Sequence, residues 1–107
     1  MRDLQNRIDP PAMQARLRDA REKSGLSQRG LSLLIGAAPA TVGNIEDGRV
    51  KAPGIDTLAA LAGALGTTVD FLALGDGDAP PYETVRAAIK ARQAAKADHD
   101  GFAEGTG

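Results

Sequence analysis

Covalent chemistry finds little to work with in these 107 residues. There is no cysteine and a single histidine, His99, so thiolate chemistry, a disulfide framework and a His-based metal site are not expected. No paired carboxylates, no phosphate-cradling loop and no nucleophile beside a base is apparent, and nothing resembles a cofactor site. The expectation is a binder and not an enzyme, with no metal and no cofactor. The side chains suited to binding are cations and amides near the middle of the chain. Arg49 and Lys51 directly follow a short helical stretch, where long cations reach phosphates and fix orientation without reading sequence. An amide such as Asn44, just before them, has the donor and acceptor that pair bidentately with adenine.

These residues need a frame, and the stretch Ser27 to Gly48, SQRGLSLLIGAAPATVGNIEDG, supplies one. Ser27 is placed to cap a helix by accepting from backbone N–H groups two or three residues on, and Gly36 to end it, which predicts a helix over 28–35. Pro39 suits a first helical turn because the N–H it lacks has no partner there, and Gly48 supplies the stop, which predicts a second helix over 39–47. Leu31 and Ile35 on the first, with Val42 and Ile45 on the second, are spaced to face one another. Two helices too short to stand alone, joined by a glycine turn, form a helix-turn-helix, whose second helix can enter the major groove of DNA.

The run from Arg16 to Gly75, roughly 60 residues without gaps, resembles the phage Cro and repressor family of helix-turn-helix proteins. Gln28, Leu31, Gly36, Val42, Ile45, Glu46, Gly48, Pro53, Leu58, Leu65, Gly66 and Leu72 stand where that family has its marker residues. The resemblance implies an all-α fold, a five-helix repressor-like DNA-binding domain, here with an additional C-terminal helix. It also implies the contacting set Gln28, Ala38, Pro39, Ala40, Thr41, Gly43 and Asn44. Ala, Pro and Gly carry no side-chain donors or acceptors, so hydrogen-bond readout falls on Gln28, Thr41 and Asn44, with Arg49 and Lys51 at the flank. The start of the helix that precedes the motif lies close to phosphates in that family, which adds Arg16 or Arg18, whereas Glu46 serves the motif's own structure. Members act as dimers on half-sites about one helical turn, roughly 34 Å, apart. A transcriptional regulator, in particular a repressor acting as a homodimer on double-stranded DNA, is the function implied. The alternatives are an antitoxin that represses its own promoter while its last helix holds a toxin, and a protein-interaction module using the same fold without DNA.

Three departures from the family pattern carry expectations. Ala38 replaces the usual Ser or Thr, so the second helix should lack a side-chain cap, at a cost of about 1 kcal/mol. Gly43 inside that helix costs a similar amount against Ala, but lets the helix approach a surface closely. Leu33 and Leu34 stand where the family is polar, so one of them is expected to be exposed and to bind a partner.

The rest of the chain fills out the unit. Asp9 before Pro10 and Pro11 predicts a capped helix over 11–24, with Met13, Leu17 and Ala20 inward and most of Arg16, Arg18, Arg21 and Lys23 outward. Gly54 precedes a helix over 55–65, with Ile55, Leu58, Leu61, Ala62 and Leu65 closing the core, and Thr68 caps a short one over 69–74. Residues 1–8 read as an arm, 9–75 as the domain and 76–81 as a turn-rich linker. A further helix over 82–97 carries a narrow stripe of Tyr82, Val85, Ala88 and Ile89. That stripe suits folding back onto the domain or, as the slightly favoured option, pairing with a second subunit. The polar, glycine-rich residues 98–107 read as a disordered tail.

Aromatics make up only 3% of the chain, so the core must be built from Leu, Ile, Val and Ala. Formal net charge is −1, but it divides unevenly: residues 1–51 hold nine Lys/Arg against six Asp/Glu, and 52–82 hold four acids and no base. A positive and a negative face would orient a small domain towards phosphate. No stretch has the roughly 20 apolar residues of a membrane span, and MRDLQNRIDPP lacks the apolar core of a signal peptide, so a cytoplasmic protein is expected.

Overall fold

Among the described residues the chain forms six helices and no strand. They are α1 (Pro10–Ser24), α2 (Gln28–Leu34), α3 (Thr41–Glu46), α4 (Ile55–Leu65), α5 (Val69–Leu74) and α6 (Tyr82–Thr106). The structure, a computed structural model, describes residues 9–106, and side chains through residue 96. The expected arm, residues 1–8, lies outside the described residues, as do Gly107 and the side chain of His99.

Most helix ends sit where local chemistry asks for them. The Ser27 hydroxyl accepts from the Gly30 N–H at 2.9 Å and the Thr68 hydroxyl from the Phe71 N–H at 3.0 Å, each relieving an orphan donor of a first turn. Asp9 stands at the N-cap of α1, but its side chain makes no capping bond, and helix begins at Pro10, one residue early. Prolines 10 and 11 already set φ for the first turn and need no donor satisfied, so that start holds without the carboxylate.

The core is aliphatic, as the composition requires. Met13, Leu17 and Ala20 of α1 meet Leu31, Val42 and Ile45 of the central pair, and Leu61, Ala62, Ala64 and Leu65 of α4, with Phe71 and Leu72 of α5 closing one end. Ile55, expected in this stripe, is 65% exposed. As the first residue of α4 it projects past the core, and Ala64 is buried in the same helix instead.

The C-terminal helix departs from expectation in two ways. Val85 and Ile89 are buried in the same core cluster, so the stripe favoured for a second subunit packs against α1 and α4 of its own domain. Burying two such side chains stabilises by about 1.5–3 kcal/mol each, which a helix left waiting for a partner would forgo. Tyr82, at its start, stays outside the core at 56% exposure and stacks beneath the Arg86 guanidinium, 5.4 Å from the ring centroid. Second, the backbone remains helical to Thr106, beyond the end expected near residue 97, through the residues that read as a disordered tail. No proline interrupts the segment, and once a helix is nucleated each further residue adds a hydrogen bond.

Polar bonds tie α6 to the frame. Arg86 donates to the Ser24 carbonyl at 2.7 Å, and Lys96 reaches the Leu33 carbonyl at 3.2 Å. Lys23 donates to the carbonyl of Pro80, a buried residue of the connecting segment, at 2.9 Å. Two of these acceptors, Ser24 and Leu33, lie at helix C-termini, where carbonyls lack intrahelical partners and cations are favoured.

Candidate nucleic-acid interface

The turn between α2 and α3 is built from backbone bonds that only a left-handed residue permits. Gly36 has φ +76°, with its N–H donating to Leu33 O at 3.0 Å and the next N–H, Ala37, donating to Ser32 O at 2.9 Å. The chain then makes a second, tighter turn, in which Thr41 N–H donates to Ala38 O at 3.0 Å. Pro39 and Ala40 form this turn and are not helical, so α3 starts at Thr41 and not at Pro39.

Ala38 explains the later start, and Ser32 compensates for it. With no side-chain oxygen before α3, its first donors need another acceptor, and the hydroxyl of Ser32, fully buried in α2, accepts from Val42 N–H at 2.9 Å. The same hydroxyl donates to Gln28 O at 2.8 Å. The cap expected to be missing is therefore supplied across the turn from the other helix. Sequence reasoning misses Ser32; its signal was a small polar residue beside Leu31 on the inward side of an apolar helix.

Beneath α3 lies a buried carboxylate. The Glu46 side chain has no exposed surface, and it accepts from Arg21 twice, Nε at 2.7 Å and a terminal nitrogen at 3.0 Å. It also accepts from Arg18 Nε at 3.3 Å and from Gln28 Nε2 at 3.0 Å. Burial alone would raise its pKa; the hydrogen bonds of Arg21 and Gln28, the Arg21 charge and the Arg18 hydrogen bond outweigh that, so the carboxyl is held below its ordinary value. Arg21 is correspondingly raised, first by its hydrogen bond to Glu46, against some desolvation. The structural role expected of Glu46 is thus realised as a clamp that joins α1, α2 and α3.

The cations of residues 9–51 divide into two groups. Arg16, Arg18, Arg21 and Lys23, all on α1, each bond elsewhere in the domain. Arg29, Arg49 and Lys51 are exposed and have no partner among the described residues. Arg16, one of the expected contacts, is bonded inside the domain: its Nε donates to Leu72 O at 3.0 Å and a terminal nitrogen to Ala73 O at 3.1 Å, satisfying the C-terminal carbonyls of α5. A long side chain bonds to whatever tertiary neighbour offers acceptors, which its position on a helical wheel does not reveal. Arg29 lies in the first turn of α2 beside Gln28, and no pattern in the sequence separates it from an ordinary solvated charge.

Around these cations stand the other expected residues. Pro39 and Ala40 are exposed, and Thr41, Gly43 and Asn44 are half-buried along α3, with no side-chain hydrogen bond for Thr41 or Asn44 among the described residues. The loop after α3 curls back, Val50 N–H donating to Asn44 O at 3.0 Å, and this holds Arg49 and Lys51 near the end of that helix. Leu33 is the exposed member of the leucine pair at 41%, whereas Leu34 packs against the core. No group of three or more His, Asp or Glu side chains among the described residues is arranged to hold a metal.

The helix-turn-helix family model matches residues 17–72, spanning α1 to α5 from Leu17 to Leu72. No curated protein and no solved structure matches the chain significantly. None of the described helices is long and apolar enough to cross a membrane. With more than half of the chain matched, and with the turn, the buried Glu46 clamp and the short second helix all in place, the chain belongs to the Cro and repressor type of DNA-binding helix-turn-helix proteins.

Proposed function

We propose that this DNA-binding regulator is a cytoplasmic repressor that occupies an operator as a dimer, laying α3 in the major groove. The observation that carries this reading is the division of the cations. Those of α1 are consumed by the fold, while Arg29, Arg49 and Lys51 flank α2 and α3 with no intramolecular partner among the described residues. Such side chains suit phosphates on either side of a groove, and Thr41 and Asn44 between them suit base edges. Only a few polar readers stand on α3, so symmetric half-sites and DNA shape supply much of the specificity. The antitoxin alternative loses its main support, because Val85 and Ile89 of the helix that would hold a toxin are buried in this domain.

The test is recovery of bound fragments from sheared DNA of the source genome, incubated with purified protein at two salt concentrations and sequenced. A few fragments sharing an inverted repeat, and retained at the higher salt, are the expected result. Retention of all fragments at low salt and none at high salt would reduce the interaction to phosphate attraction and contradict the reading.

A further inference from the structure

A groove of about 590 Å³ lies between α6, α4 and the end of α2. Small residues create it. Ala88, Ala91 and Ala95 line it from α6, three and four residues apart on one face, with Gly63 of α4 and Leu34 of α2 opposite. A Cβ added at Gly63 would meet only an Arg92 terminal nitrogen, at 3.8 Å, so the space over this glycine is open. Two cations, Arg92 and Lys96, complete the lining, and no acid takes part in it. Arg92 is half-buried with no partner among the described residues. Lys96 gives one bond, to Leu33 O at 3.2 Å, which leaves two of its three donors. An apolar channel thus carries a pair of cations, one helical turn apart, with no counter-charge in its walls.

We propose that this groove binds a free aliphatic monocarboxylate, its carboxylate between Arg92 and Lys96 and its chain running over Gly63 towards Ala88. From Ala88 to Lys96 the groove follows α6 for about 12 Å. An extended chain advances about 1.2 Å per bond, so an acid of roughly ten carbons matches that length. The volume lies within the roughly 300–1,000 Å³ of small-molecule sites, which are likewise apolar with a few placed polar groups. Two helical turns are short for a protein interface, which takes about 800 Å² from each partner. None of the lining residues belongs to the surface proposed to meet DNA, so this site stands independently of that reading.

Titration calorimetry on the full chain tests it with sodium hexanoate, octanoate and decanoate, each below its micelle concentration, and with octylammonium chloride as a cationic twin. One carboxylate should bind per chain, with affinity rising about fourfold for each added methylene up to decanoate. Octylammonium should bind about 10-fold more weakly than octanoate, or worse, and Arg92→Gln should cost octanoate a similar factor. Gly63→Leu should abolish binding by filling the groove. Residue 63 is exposed and Leu is the better helix former, so thermal melting should show this variant folded. Ala91→Leu, at an exposed position on the facing wall, is a second block that should act alike. Several molecules bound per chain, equal binding of octanoate and octylammonium, or undiminished binding in both blocked variants would overturn the inference. Absence of binding at millimolar decanoate would do so too. If the chain sediments as a dimer that Gly63→Leu converts to a monomer, the groove belongs to a second copy and the inference fails.

Discussion

A carboxylate with no exposed surface keeps its charge only through its partners, and this makes Glu46 the residue on which acid stability turns. Its folded pKa lies below the ordinary value of 4.5, so its contribution is complete above that pH and is lost as the pH falls through the lower folded value. Urea midpoints of the parent should therefore decline as the pH drops below about 4.5. Glu46→Gln should remove that part of the decline, and at neutral pH should cost about 3 kcal/mol by leaving Arg21, only 14% exposed, without its counter-charge. Equal acid slopes in the two proteins would mean the clamp does not titrate as described. Ser32 is the second residue with a measurable role. Ser32→Ala leaves the Val42 N–H without its acceptor and should lower stability by about 1–2 kcal/mol with an unchanged denaturant slope. An unaffected midpoint would show that α3 finds its start without the cross-turn cap.

At the level of elements, α6 behaves as part of the domain. Ile89→Ala should cost about 2–4 kcal/mol in a single cooperative transition whose midpoint does not move with protein concentration, because the cavity opens inside one chain. A concentration-dependent midpoint that Ile89→Ala abolishes would instead return that stripe to a subunit interface. The sequence already showed its apolar residues but not their destination, since Val85 and Ile89 make the same pattern whether they meet α4 or another molecule. The helix ends were more legible: Ser27 and Thr68 act on neighbours three residues away, and Gly36 and Gly48 take φ values of +76° and +84° that other residues resist. The start of α3 was misplaced by two residues because its cap comes from Ser32, ten residues back and on another helix. Among the candidate site residues, the placement of those on α3 and its loop was visible through their register, whereas the surroundings of Arg16 and Arg29 depend on tertiary neighbours that the sequence does not reveal. Arg16 lies within reach of the α5 carbonyls, and Arg29 bonds to no acceptor among the described residues.

For the whole molecule, a net charge of −1 hides the separation that the structure makes concrete. The acids of residues 52–82 belong to α4, α5 and the connecting segment, while of the cations without a partner among the described residues Arg29, Arg49 and Lys51 lie beside α2 and α3, and Lys90 and Arg92 lie on α6. The fold has neutralised the charges that it uses and left three beside the surface proposed to meet DNA. The most direct test is the salt dependence of binding to a selected duplex, measured for the parent and for the variant carrying Arg29→Ala, Arg49→Ala and Lys51→Ala. If these side chains lie on phosphates, the slope of log K against log salt should flatten by about 3 per protomer, near 0.9 for each phosphate that is no longer neutralised. A triple variant that binds with the parent's slope would contradict the account, and would place the DNA on another face of the domain.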